Sequence, residues 1–304
     1  MSHPIPLILD TDIGTDIDDT WALAVLLRSP EVDVRLALSA TGDTAYRARL
    51  LAKFLQVSGR CDIPVGVGVY AEDESLPRRL QEAWVQGYAL EDYPGRVHAD
   101  GVAALIETIL NAPEPVTLLA IGPLTNIAAA LEREPSIARR AHFVGMHGSI
   151  YRGYGGAPEA HAEYNVKLDV PASRKVFSAD WLSFTLTPLD TCGLVTLQGE
   201  RYAAVRDSSH PITRALMENV RLWCAASPPW LKIPIDPERQ SSTLFDVVAV
   251  YLAFADDLLE MRTLPLIVDE AGFTRVHPEG KAARCGLAWK DLPAFEQWMV
   301  ERLR

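Results

Sequence analysis

"LILDTDIGTDIDDTWALAVLL" runs from Leu7 to Leu27 and decides how the chain is read. Its first residues close an apolar run, "IPLIL", of the kind that forms a buried strand. From Asp18 onward the pattern is that of a helix, opened by two acidic residues where a helix N-terminus favours negative charge. Between and into these pieces fall five aspartates, Asp10, Asp12, Asp16, Asp18 and Asp19, within ten positions, and no Lys or Arg precedes Arg28. Like charges so crowded repel and raise one another's pKa values unless a cation sits among them. Helix capping accounts for one or two of the five; the cluster as a whole reads as a cation site at a strand end.

Carboxylate oxygens without Cys or a His cluster select a hard ion, Ca²⁺ or Mg²⁺, and Ca²⁺ tolerates irregular shells of oxygen ligands. The spacing is not that of an EF-hand, since the D-x-D-x-D-G run and its twelfth-position Glu are missing.

The strand-to-helix unit repeats along the chain. "VDVRLAL" precedes a helical pattern from Thr44 to Val57, "VTLLAI" precedes Leu124 to Glu132, and "HFVGM" and "LSFTLT" follow. This rhythm predicts an α/β fold with a mostly parallel central sheet and helices on both faces. Strand carboxyl ends then converge on one crevice. Asp10 and Asp12, Thr41 to Asp43, Gly122, Met146 to Ser149 and Asp190 all follow such ends. Two long segments, Tyr70–Asp100 and Ile150–His161, read as lids or binding loops. Beyond Pro211 the chain reads as helical, with "PITRALMENVRLWCAA" and "LFDVVAVYLAFADDLL".

The chain has 304 residues and no Ser/Gly linker or repeat, and it is read as one domain over 1–304. Apolar residues make up 48% and charged residues 23%, ordinary globular values. A formal net charge of −11 argues against a nucleic acid or an anionic membrane surface as partner. No basic leader and no apolar run of membrane-spanning length is present, so the expected location is cytoplasmic. Cys61, Cys192, Cys224 and Cys285 form no C-x-x-C pair and read as reduced thiols.

"DTDIG" followed by "DDTWAL" resembles the D-T-D-x-G…D-D-x-x-A-L signature of the inosine-uridine preferring nucleoside hydrolases, with two extra residues between. "LLAIGPLTNIAAAL" (Leu118–Leu131), "AEYN" (Ala162–Asn165) and "LFDVVAV" (Leu244–Val250) are similar to that family's later motifs. The four lie in order over about 240 residues. The resemblance implies a nucleoside hydrolase-like fold with an open Rossmann-like core, and calcium-dependent cleavage of ribonucleosides to base and ribose by a homodimer or homotetramer. Carried over by position, Asp12 binds calcium and takes a proton from the attacking water. Asp19, Asp246 and the Ile121 carbonyl are further ligands, supported by Asp10. Asp18 holds ribose hydroxyls, while Glu163 and Asn165 bind the sugar and Asn165 stabilises charge on the ring.

The chain also departs from the family. Phe245 stands where several members carry a His that protonates the departing base, and a phenyl ring cannot donate a proton. Asp43 and Ala157 occupy positions where Asn is usual, Asp43 remaining a sugar-binding candidate. His98, in "VHADG", matches a segment whose His faces the base in some pyrimidine-preferring members, and it is a catalytic candidate; His147 is a weaker one. Trp223 lies in a helical pattern that suits either the core or a stacking face for the base, and it is a substrate-binding candidate.

Two other functions fit parts of the sequence. D-T-D-x-G-T also looks like the D-x-D-x-T start of haloacid dehalogenase-type phosphatases, which would make Asp10 a nucleophile. Phe245 and Ala157 would suit a non-catalytic nucleoside or ribose binder on the same scaffold.

Overall fold

The computed structural model describes residues 3–71, 79–231 and 233–304. Ile5–Thr11 forms the first strand, β1. Its alternation divides the core, because successive side chains leave a strand on opposite faces. Leu7 and Leu9 enter one buried cluster and Ile8 the other. The next six strands are β2 (Val32–Ser39), β3 (Val65–Val67), β4 (Val97–His98), β5 (Val116–Ala120), β6 (Ala141–Met146) and β7 (Ser183–Thr187). All pair in parallel, in the spatial order β4-β3-β2-β1-β5-β6-β7. The order reverses at β1, which makes the gap between β1 and β5 the topological switch point where α/β sheets bind ligands.

Helices cover both faces, as the sequence rhythm requires. Asp18–Leu27, Thr44–Val57, Pro211–Ala225 and Phe245–Leu252 bring Trp21, Leu51, Leu216 and Val247 to the Leu7 face. Gly101–Asn111, Thr125–Arg133 and Val170–Ser178 bring Leu105, Ile127 and Val176 to the Ile8 face.

The helical reading beyond Pro211 holds for Pro211–Ala225 and Phe245–Leu252 and fails between Leu259 and Trp289. There the chain forms β8 (Leu259–Val268), β9 (Thr274–Val276) and β10 (Lys281–Trp289), with β8 antiparallel to both β9 and β10 and β10 parallel to β7. β8 lies near the sheet's edge, where Glu260, Arg262 and Thr263 are exposed, so its apolar residues lack the clean two-residue period that announces a strand.

Within the segment read as Tyr70–Asp100, residues 72–78 lie outside the described residues. Beyond them, Trp84 and Tyr93 pack into the core, while the Leu80 nitrogen donates to the Gly14 carbonyl of the aspartate loop at 3.2 Å. All four cysteines are free thiols, Cys192 and Cys285 buried and Cys61 and Cys224 half-buried. Among the described residues, no helix is long and apolar enough to cross a membrane.

Candidate active site

A cavity of about 400 Å³ opens beyond the carboxyl ends of β1, β5 and β6. That is within the usual range of about 300–1,000 Å³ for small-molecule sites. Its wall combines the carboxylates of Asp12, Asp16, Asp18, Asp19 and Asp246, all but Asp16 buried, with the less buried aromatic rings of Tyr154, Trp230 and Phe245.

The acidic set is assembled by two helix starts and a braced loop. Asp18 and Asp19 sit in the first turn of Asp18–Leu27, and Asp246 in the first turn of Phe245–Leu252. Both helices therefore turn their partly positive N-termini toward the same charges, which offsets some of the repulsion. The loop between β1 and the first helix turns at Gly14, whose φ of 110° a side chain would strain. Arg47, almost wholly buried, holds that loop from beneath. Its guanidinium donates to the carbonyls of Asp12, of Thr41 at 2.7 Å and of Ile13 at 2.9 Å, and to the Thr15 hydroxyl at 2.9 Å. Behind the same loop the Trp223 indole N–H donates to the Thr15 carbonyl at 3.0 Å. Thr11 donates its hydroxyl proton to Asp19.

β5 approaches equally closely. A Cβ on Gly122 would stand 2.8 Å from both the backbone nitrogen and Oδ1 of Asp12. Gly122→Ala is therefore expected to push Asp12 out of place and cost about 1–3 kcal/mol, as overpacked sites do. Thermal denaturation checks this, and an unchanged Tm with unchanged activity would refute the close fit.

The electrostatics follow from burial. One carboxylate oxygen each from Asp18, Asp19 and Asp246 lies within 4.8 Å of the others, and all three residues are buried. Burial pushes each of these groups well above the ordinary carboxylate range, and the neighbouring aspartates push further. Only on Asp19 does Arg47 pull the other way, alongside the Thr11 hydrogen bond. Asp16 is raised to about 6, chiefly by burial, with the Asp12 charge adding to it. Carboxylates held together against such repulsion, with no nitrogen or sulfur among them, make a donor set that fits a hard divalent cation.

Glu163 and Asn165 close the cavity from the side. The Glu163 carboxylate caps the short helix Tyr164–Leu168 and accepts from the backbone nitrogens of Asn165 at 2.7 Å, Gly148 at 3.0 Å and Val166 at 3.2 Å. Burial nonetheless raises it to about 7 against those bonds. The Asn165 amide donates to the carbonyls of Met146 at 3.1 Å and Ile121 at 3.2 Å. Two carbonyl acceptors fix which amide atom is the nitrogen and leave Oδ1 as the free acceptor.

The structure thus gathers Asp12, Asp18, Asp19, Ile121, Glu163, Asn165 and Asp246 on one cavity. Five other sequence candidates do not line it. Asp10 lies behind, its Oδ1 accepting from the Asn126 amide at 2.7 Å and its Oδ2 buried without a hydrogen-bond partner. A nucleophile needs access, so the dehalogenase-type reading of Asp10 fails. Asp43 caps the helix Thr44–Val57 and pairs with Arg79, which neutralises the extra charge that distinguishes it from Asn. His98 lies on β4, three strands from β1 and so about 14 Å away at the usual strand spacing. Trp223 is fully buried and braces the aspartate loop, not a substrate. His147 is also buried, its Nε2 3.0 Å from the Gly122 carbonyl, and burial lowers it to about 4.

Trp230, Tyr154 and Arg47 were not singled out by sequence reasoning. Trp230 follows "SPP" in an irregular stretch, and Arg47 sits in an otherwise ordinary helical pattern. The one available signal was the Gly- and Tyr-rich run from Ile150, which does bring Tyr154 to the cavity.

Residues 7–292 match the family model of the inosine-uridine preferring nucleoside hydrolases. The "Non-specific ribonucleoside hydrolase RihC" of Salmonella paratyphi B is 36% identical, covering 99% of this chain and 98% of that protein. The protein of the same name from Salmonella schwarzengrund is 28% identical at the same coverage. Among solved structures, a plant nucleoside hydrolase superposes with a TM-score of 0.82 at 21% identity, covering 99% of each chain. An inosine-uridine preferring nucleoside hydrolase from Bacillus anthracis superposes at 0.76 with 20% identity, covering 98% of this chain and 99% of that one. With its motifs, its sheet order and its acidic crevice in agreement with the family match, the chain belongs to the inosine-uridine preferring nucleoside hydrolase family.

Proposed function

We propose that this enzyme hydrolyses the N-glycosidic bond of ribonucleosides to free base and ribose, with a calcium ion held by Asp12, Asp19, Asp246 and the Ile121 carbonyl. The observation that carries this reading is that one cavity is lined by both a set of carboxylates and a set of aromatic rings. A sugar diol suits the first and a flat heterocycle the second. Bound there, a divalent ion supplies the charge that offsets the carboxylate repulsion and lowers the cost of deprotonating a water molecule.

The residues divide the remaining work. Asp12 accepts the water's proton as its oxygen attacks C1′, and Asp18 accepts hydrogen bonds from the ribose hydroxyls. The sugar passes through an oxocarbenium-like transition state, as in O-glycoside cleavage. Positive charge on the ring favours an acceptor dipole beside it. Asn165 offers its amide oxygen, because its NH₂ is already engaged by two carbonyls. Trp230 and Phe245 exclude water and present apolar faces to the base.

The test is reducing-sugar release from inosine, adenosine, guanosine, uridine and cytidine, using the purified enzyme, the chelated enzyme and the chelated enzyme returned to calcium. Release that falls at least about 100-fold on chelation and returns with calcium is the expected result. Turnover indifferent to chelation would exclude the metal assignment, and no release from any nucleoside while calcium is bound would exclude the substrate class.

A further inference from the structure

Phe245 offers the departing base no proton donor at the start of its helix, and Tyr251 further along is turned to Asp257, yet a leaving purine or pyrimidine anion is stabilised by one. Apart from the carboxyl groups, which the proposed function assigns to the ion, the water and the sugar, five described residues on the cavity wall carry an O–H or N–H in their side chains: Thr15, Tyr154, Tyr164, Asn165 and Trp230. Thr15 belongs to the aspartate loop, where its hydroxyl accepts from Arg47, and the Asn165 NH₂ is engaged by two carbonyls. The Tyr164 hydroxyl is buried away from the cavity surface. An indole N–H, the only donor of Trp230, is too weak an acid to follow the charge far.

Tyr154 differs from all of these. Its ring meets Phe245 edge-on, with centroids 5.9 Å apart and planes at 84°, so it stands beside the position where the usual donor is missing. The turn that brings it there is held by Gly155 and Gly156, at φ of 64° and 77°, and by His161, whose Nδ1 accepts from the Tyr154 nitrogen at 3.2 Å. The phenol oxygen accepts from the Tyr164 backbone nitrogen at 2.9 Å. That bond anchors the oxygen and occupies one of its lone pairs, which leaves the O–H proton to be donated elsewhere. The residue as a whole is 40% exposed, but the surroundings of the hydroxyl, with Glu163 nearby, still hold the phenol above its ordinary range, so it keeps its proton at neutral pH.

We propose that Tyr154 is a catalytic hydrogen-bond donor to the departing base, standing in for the histidine that Phe245 replaces. The assignment rests on the hydrolase reading above. As the C1′–N bond breaks, its electron pair stays with the base nitrogen, and the growing negative charge on the heterocycle is met by the Tyr154 O–H. Water delivers its hydroxyl to C1′ and its proton to Asp12. Asp12 returns that proton to solvent, and the released base takes one from solvent, so one water is consumed per bond cleaved. A preorganised donor of this kind is worth about 10²–10³ in kcat.

Leaving-group chemistry separates this role from a structural one. Wild type and Tyr154→Phe are compared on the best nucleoside of the panel and on 4-nitrophenyl β-D-ribofuranoside, whose nitrophenolate departs without help. The expected result is a loss of about 100-fold in kcat on the nucleoside and of less than about threefold on the nitrophenyl riboside. Retained cleavage of the second substrate also shows that the variant is folded. Equal losses on both substrates, which is what a sugar-holding or merely packing role would give, overturn the assignment. So does a variant as fast as wild type on both. Wild type inactive on every nucleoside, by contrast, overturns the hydrolase reading itself and this proposal with it.

Discussion

Asp12→Asn is expected to reduce kcat on the best nucleoside by about 10³-fold or more, while Asp10→Asn stays within about tenfold of wild type. A positioned general base contributes about 10²–10⁴, and the proposed function gives Asp12, which lines the cavity, the roles of both base and ligand. An amide keeps its size and its carbonyl oxygen but can neither accept the water's proton nor offset a divalent charge. Asp10 has no such access. It accepts from Asn126 at 2.7 Å, a bond the carboxamide oxygen of Asn also accepts, and removing its charge relieves a buried carboxylate that burial already raises to about 7. Steady-state kinetics of the two variants, with calcium affinity by titration calorimetry, separates lost chemistry from lost metal. The assignment fails if Asp12→Asn retains a tenth of wild-type kcat, or if Asp10→Asn is the more damaging change.

Arg47→Met is the substitution with the largest expected effect on stability, about 3–5 kcal/mol. The methionine fills much of the space but removes four hydrogen bonds. The carbonyls of Asp12, Ile13 and Thr41 lose a donor inside the fold, at about 1–3 kcal/mol for each group left buried and unpaired. Such losses overlap, because the loop relaxes as a unit. The same change takes away the positive charge that holds Asp19 down. Calcium therefore stabilises the variant more than it does wild type, in relative terms, because the ion must now offset repulsion that the guanidinium shared. Urea unfolding with and without calcium measures both effects. A loss below about 1 kcal/mol would mean that the loop holds its shape without Arg47.

Much of this was legible in the chain because it is local. Five aspartates between an apolar run and a helix pattern announce a charged loop at a strand end, whatever surrounds them. The β-branched runs at β1, β2, β5, β6 and β7 announce a parallel sheet, because strands buried on both faces cannot hide among polar residues. The motifs around Gly122, Glu163 and Asp246 then mark the other loops that meet at the crevice.

The remaining assignments depend on distance in space, which no local pattern encodes. His98 and Trp223 carry the right chemistry in plausible motifs. The sheet order nevertheless puts His98 three strands from β1, and helix packing turns Trp223 inward to the Thr15 carbonyl. Arg47 looks like any helical arginine until the fold seats it beneath Asp12, the neighbouring positive charge that the first 27 residues lack. Tyr154 and Trp230 reach the cavity from irregular segments, where side-chain direction follows from turns and not from a period. By itself the sequence determined the parallel core of the sheet, the crevice and the acidic loop, because each is written in neighbouring residues, whereas the antiparallel strands β8 to β10 were not legible in it. Which basic side chain braces that loop and which aromatic groups line the cavity were decided only by tertiary structure, since both depend on contacts between segments that are far apart in the chain.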